Sequence, residues 1–134
     1  MKPYAAYAIG AALVDTEIQV TEAELGAMKV EKGMMTLVDQ ARQTDILAQL
    51  PDHPIRASHT SGGSAGNSMI AAALMGAPTY MSCKVAQDTD GDIYLADLEQ
   101  SGVAHGLNDQ RKEGVTGKCI VLITPDAERS LNTH

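Results

Sequence analysis

The chain contains no Phe and no Trp, and four Tyr are its only aromatic side chains. So few rings leave little surface on which bases could stack. Positive charge is also scarce: ten Lys and Arg stand against seventeen Asp and Glu, for a net charge of -7 and a pI near 4.9. Binding a phosphate backbone needs clustered Lys and Arg, so no nucleic acid is expected, and the partner is a small molecule or another protein. Cysteine is limited to Cys83 and Cys119, far apart and inside apolar runs. Buried free thiols are expected there rather than a disulfide, which fits a reducing, cytoplasmic compartment. No apolar run approaches the roughly 18 residues of a membrane span, so no membrane is expected. Met1-Lys2 before the small apolar stretch Tyr4 to Val14 has the outline of a short signal peptide. One basic residue and no clear cleavage site before Asp15-Thr16-Glu17 favour a buried first strand instead. His53, His59, His105 and His134 lack the short spacing that places two ligands on one face, so no metal site is assigned.

What is present is enough for one packed domain: 134 residues, 44% of them hydrophobic. Tyr4 to Val14 reads as a strand buried on both faces of an α/β sheet, and Thr16 to Thr21 as a half-exposed strand with Ile18 and Val20 on one side. Met34 to Val38 is a further short strand, and Asp39 is placed to cap a helix running to about Leu50, with Ile46, Leu47 and Leu50 inward and Pro51 as its stop. A short strand at Ile55 to Ser58 precedes a glycine-rich segment and then a helix with small residues all round, which predicts close packing in an interior. Thr79 to Val85 reads as a strand, Asp92 to Ser101 as an amphipathic helix, and Lys118 to Ile123 as a strand whose hairpin partner is Arg129 to Thr133. Strands interleaved with helices predict an α/β fold with some antiparallel additions.

The strongest chemical signal is Thr60-Ser61-Gly62-Gly63-Ser64-Ala65-Gly66-Asn67. Glycines just before a helix let backbone N–H groups approach a polar ligand at the positive helix end. A flexible Gly/Ser loop accounts for so short a motif about as well. No Gly-Lys-Ser/Thr follows, so it is not a Walker A loop, and the spacing is not that of a dinucleotide fingerprint. Asp88-Thr89-Asp90-Gly91-Asp92 has acidic spacing like that of a calcium loop, but Ile93 stands where that loop needs Gly. A strand exit whose aspartates cap the next helix is the stronger reading. Lys84 is read as a strand-end lysine with a solvated head.

Gly62-Gly63-Ser64-Ala65-Gly66-Asn67, followed by an Ala-rich helix and Gly76, resembles the first signature of ribokinase-like (phosphofructokinase-B-type) kinases. Ile9 to Asp15 resembles their first-strand motif, which ends in a substrate-binding Asp. Ser82 to Val85 with Asp88 and Gly91 resembles the segment after the signature helix, and Thr116-Gly117 with Thr124 to Arg129 resembles the later hairpin. The run Lys32 to Arg42 adds a likeness to adenosine-kinase-like sugar kinases. Met69 and Ala86 depart from the pattern, where a small residue and Gly are usual.

The resemblance implies the N-terminal part of a Rossmann-type α/β/α sandwich with a small β-sheet lid, spanning residues 1–134 with lid strands near 16–21, 34–38 and 116–133. It implies ATP-dependent, magnesium-assisted phosphorylation of a sugar or nucleoside hydroxyl. Asp15, Gly62, Gly63 and Asn67 would bind the acceptor, because a carboxylate accepts hydroxyl donors and an amide both donates and accepts. An isolated Asp is more commonly a turn or cap residue, and an Asn at a helix start commonly bonds local backbone. Arg129 is a phosphate contact by the same analogy, against a solvated hairpin arginine. The Gly-Ala-Gly-Asp signature with the catalytic base is not among these residues, nor is the Asn-x-x-Glu segment associated with magnesium. The chain alone is therefore expected to be inactive and to form a homo-oligomer through an exposed strand edge or the lid. The rival reading is a non-catalytic binding or interaction module.

Overall fold

The computed structural model describes residues 3–50, 56–107 and 111–134, without the side chains of 56–59. In order, its elements are β1 (Ala6–Ile9), β2 (Leu13–Gln19), α1 (Glu22–Ala27), β3 (Met35–Leu37), α2 (Gln40–Ala48), β4 (Arg56–Gly62), α3 (Ser64–Leu74), β5 (Thr79–Ser82), α4 (Thr89–Gln100), β6 (Gly117–Ile123) and β7 (Arg129–Thr133). They fall into two compact units, one taking the chain up to Val14 and from His59 to Gly117, the other Asp15 to Ser58 and Lys118 to His134.

In the first unit β1 pairs in parallel with β5, Ala6 opposite Thr79 through Ile9 opposite Ser82, and α3 packs against both strands. The core gathers Val14, Met69, Met81, Tyr94, Leu98 and Val103. The expected single strand over Tyr4 to Val14, buried on both faces, is not what forms. Gly10 to Ala12 separate β1 from β2, and Tyr7 and Ile9 are 58% and 78% exposed. The small residues serve a close approach instead: a Cβ on Gly10 would lie 2.5 Å from the Cβ of Ala65. Nor is α3 interior on every side. Gly66 and Met69 are buried, whereas Leu74 at its end and the adjoining Met75 are largely exposed.

Helix α4 starts at Thr89, three residues before the expected Asp92, because Asp88 caps it. The Asp88 carboxylate accepts from the Gly91 amide (2.8 Å), the Thr116 amide (2.8 Å) and the Thr116 hydroxyl (2.6 Å). Asp90 and Asp92 lie in its first turn, favourably placed against the helix dipole. The acidic run is thus a helix start, in agreement with the capping reading.

In the second unit β6 and β7 form the expected antiparallel hairpin, Cys119 opposite Thr133 through Ile123 opposite Arg129. Strand β3 joins β7 in parallel, and the strand order is β3-β7-β6-β2-β4. Ile18, Val20, Leu25, Met28, Ile46, Leu50, Ile120 and Leu122 form a second core. Asp39 caps α2 by accepting from the Arg42 amide, 2.7 Å. Ile46 and Leu50 are four apart and share a buried stripe, but Leu47 sits round the helix and is 39% exposed, contrary to expectation. Gln43 is the unforeseen tie: its buried amide nitrogen donates to the carbonyls of Lys118 (3.0 Å) and Asn132 (2.9 Å), joining α2 to two strands. Helix α1 was also unforeseen, although Thr21 and Glu24 form a reciprocal capping box at its start. Pro51 and Ile55 lie outside the described residues.

Candidate functional site

Strand β4 ends at the buried Gly62, and Gly63 then turns the chain with φ 91 and ψ 134. Side-chain-bearing residues rarely adopt that conformation. Space excludes one as well, since a Cβ at Gly63 would stand 2.8 Å from the carbonyl oxygen of Ala11. The N-cap of α3 is Gly63, which has no side chain to cap the helix, whereas Thr21, Asp39 and Asp88 cap α1, α2 and α4. The first amides of a helix have no intrahelical acceptor; here the ladder begins with the Asn67 amide donating to the Gly63 carbonyl, 3.0 Å. Asn67 is exposed, and its side-chain amide makes no hydrogen bond among the described residues.

Behind this turn, the Ser61 amide donates to the Asp97 carboxylate of α4 at 2.8 Å. Burial pushes the Cys83 thiol up to about 11 and the Tyr94 phenol up to about 12. Both stay protonated near neutral pH, so neither acts as a nucleophile there. Both cysteines are free, and Cys119 is buried.

In the second unit Asp15 lies inside β2, not at a strand end as expected. Asp15 and Glu17 are two residues apart and so share one face of the strand. Burial holds the Asp15 carboxyl above its ordinary range, Glu17 adds to the rise, and Arg129 partly offsets it. Arg129 is exposed on the hairpin, as the solvated reading has it, and its guanidinium pairs with Glu17.

The structure thus gathers Gly62, Gly63 and Asn67 in one unit and Asp15 and Arg129 in the other. Sequence reasoning missed Glu17, whose signal is its two-residue offset from Asp15, and also Tyr94 and Asp97, which carry no local signal. Lys84 is exposed, as expected of a solvated head. His105 faces Glu99 at 3.2 Å, and the side chains of His53 and His59 lie outside the described residues. Among the described residues no three His, Cys, Asp or Glu side chains are grouped as a metal needs, and no helix is long and apolar enough to cross a membrane.

The family model described as pfkB family carbohydrate kinase matches residues 28–134. The chain belongs to that family. Among curated proteins, mouse (Mus musculus) ribokinase is 27% identical over 67 residues, 50% of this pfkB-family chain and 21% of the relative. A probable sugar kinase from Rhizobium etli CFN 42 superposes with a TM-score of 0.85 at 28% identity, covering 100% of this chain and 39% of the other. Adenosine kinase from Sinorhizobium meliloti does so with a TM-score of 0.85 at 30% identity, covering 98% and 39%. The fold is therefore that of the N-terminal part of a ribokinase-like kinase, as the glycine-rich signature implied, and the chain spans 39% of the length of these two structures.

Proposed function

We propose that this chain is the acceptor-binding part of an enzyme that transfers the γ-phosphoryl group of ATP to a sugar or nucleoside hydroxyl. The observation that carries the reading is the Gly62-Gly63 turn into an uncapped helix, with the Asn67 side-chain amide turned outward and unpartnered among the described residues. Backbone donors at a helix start and a two-way amide suit hydroxyls, which both donate and accept. Asp15 adds a carboxyl acceptor, which its partly buried position on β2 leaves with fewer competing waters. The strands at 16–21, 34–38 and 116–133 act as a lid that excludes water from the transfer; the gathering of all but residues 116 and 117 in one unit supports that role.

In the transfer the acceptor oxygen bonds to the γ-phosphorus, the bond to the bridging oxygen of ATP breaks, ADP leaves, and the hydroxyl proton passes to a base. That base, and the groups that hold ATP and magnesium, belong to residues other than these. The described residues offer magnesium no ligand cluster. Positioning and charge stabilisation supply most of the rate in such chemistry. The free thiols favour the cytoplasm as the working compartment.

Calorimetric titration of the chain with ribose and with adenosine tests the reading. One of the two is expected to bind. Asp15→Ala is expected to weaken it about ten- to hundredfold, the worth of a charge-assisted hydrogen bond. Heat from neither ligand, or an affinity unchanged by both Asp15→Ala and Asn67→Ala, sinks the proposal and leaves the non-catalytic module.

A further inference from the structure

We propose that Tyr94 and Asp97, one turn apart on α4, are positioning residues that clamp the Gly62-Gly63 turn at both ends and so set acceptor affinity. The inference rests on the acceptor-binding reading above and adds to it the residues that shape the turn.

Positions three apart on a helix lie side by side, so Tyr94 and Asp97 present neighbouring tips from one face of α4. The two tips meet the glycine segment at different points. Asp97 receives the amide of Ser61, the residue before Gly62, at 2.8 Å. Hydrogen bonds to an ionised acceptor are stronger than neutral ones, so this one holds the strand end firmly. Tyr94 is fully buried, and its hydroxyl has no hydrogen-bond partner among the described residues. The oxygen instead fills the place where a side chain of residue 66 would be, since a Cβ on Gly66 would lie 2.5 Å from it. A buried hydroxyl without a partner is costly, and a Phe of nearly the same shape would avoid that cost. What the oxygen adds at this position is volume: it is a stop that fixes how closely the first turn of α3 approaches α4.

Between the two contacts lie Gly62 and Gly63, and directly after the second lies Asn67. A glycine pair is the most mobile of backbones, and a mobile site loses affinity to the entropy of ordering it. Gly63 needs its unusual φ of 91 before the helix-start amides and the Asn67 amide face one ligand. Fixing Ser61 on one side and Gly66 on the other selects that conformation before any ligand arrives.

The test combines amide hydrogen exchange with calorimetry on the whole chain and the variants Asp97→Ala, Asp97→Asn and Tyr94→Phe. In Asp97→Ala the Ser61 amide is expected to exchange about tenfold faster and the acceptor to bind about tenfold more weakly, the scale of one lost hydrogen bond. Asp97→Asn keeps an acceptor oxygen and should restore most of both. Tyr94→Phe should weaken binding a few-fold without lowering the melting temperature, because the hydroxyl it removes has no partner. A merely structural role for either residue would move the melt and leave affinity alone. Unchanged Ser61 exchange in Asp97→Ala, or unchanged affinity in both Asp97→Ala and Tyr94→Phe while the unaltered chain binds, overturns the inference. A chain that binds neither ribose nor adenosine overturns the acceptor reading and the affinity claim with it, while Ser61 exchange still decides whether Asp97 holds the turn.

Discussion

The contact between Gly66 and Tyr94 makes an unusual forecast about a glycine-to-alanine change in a helix. In an unhindered helix interior that change gains about 1 kcal/mol through backbone entropy. At Gly66 the new methyl would stand 2.5 Å from the Tyr94 hydroxyl oxygen, 3.5 Å from Cζ and 3.9 Å from Cε2. Only the first of these is a clash, since carbon contacts are comfortable near 3.5–4.0 Å. Tyr94 is fully buried, so its ring has no solvent to swing into, and overpacking of that kind costs about 1–3 kcal/mol. Gly66→Ala alone should therefore be neutral to destabilising, by about 0–2 kcal/mol after the helix gain. In the Tyr94→Phe background the clashing atom is gone and Cζ is at ordinary contact distance. The same substitution should there stabilise by about 1 kcal/mol. Urea unfolding of the four proteins, with m-values required to agree, gives the coupling energy of the cycle, expected at about 1–3 kcal/mol. Equal effects of Gly66→Ala in both backgrounds, or stabilisation by it alone, would refute the claim that the hydroxyl fills the space of residue 66.

Two further expectations concern charge and assembly. The Asp15 carboxyl sits above its ordinary range, so the folded chain holds that proton more tightly than the unfolded one; the resulting stability is complete below the unfolded carboxylate range and is lost as pH rises through the folded value. Asp15→Asn should thus melt higher than the unaltered chain at about pH 7, with the gap closing towards about pH 3, and a gap constant with pH would contradict it. Strand β1 pairs only with β5 among the described residues, and Ile9 on it is 78% exposed; a second copy is expected to pair along its open edge. Light scattering coupled to size exclusion should show a dimer or larger species, and a concentration-independent monomer peak rules the pairing out.

Much of this arrangement could be read from the residues, and the failures have physical causes. The hairpin of β6 and β7, the Asp39 cap and the Asp88 cap follow from local chemistry: a continuous apolar run, a turn, a carboxylate one residue ahead of a helix. The glycine-rich turn was also legible, but its reason was half wrong. Gly63 and Gly66 are glycines partly because Ala11 and Tyr94 crowd them, which no window of sequence discloses. The run from Tyr4 to Val14 misled because small apolar residues mean close approach as readily as two-sided burial, and only the position of Ala65 tells the two apart. Asp97 and Gln43 look like ordinary polar helix residues until the backbone groups they receive or donate to, 36 and up to 89 residues away, are known. Arg129 is exposed on the hairpin, as a solvated arginine there should be, but its partner Glu17 lies 112 residues earlier and could not be read locally.

The interleaving of the two units has a consequence for how the chain is made. Met35 on β3 has its only described strand neighbour in β7, at Leu131, so roughly 100 residues must be added before that pairing can form; at about 5–20 residues per second the wait is roughly 5–20 s. During that interval the sheet-facing sides of α1 and α2, with Leu25, Met28 and Ile46, have no β6 to cover them, because Ile120 and Leu122 complete the same core. Such pairings between distant parts of a chain are slow to close even once all the residues exist. The second unit is therefore the part of this protein that spends longest with bare apolar surface in a translating cell, and the part whose yield should depend most on chaperones that shield it.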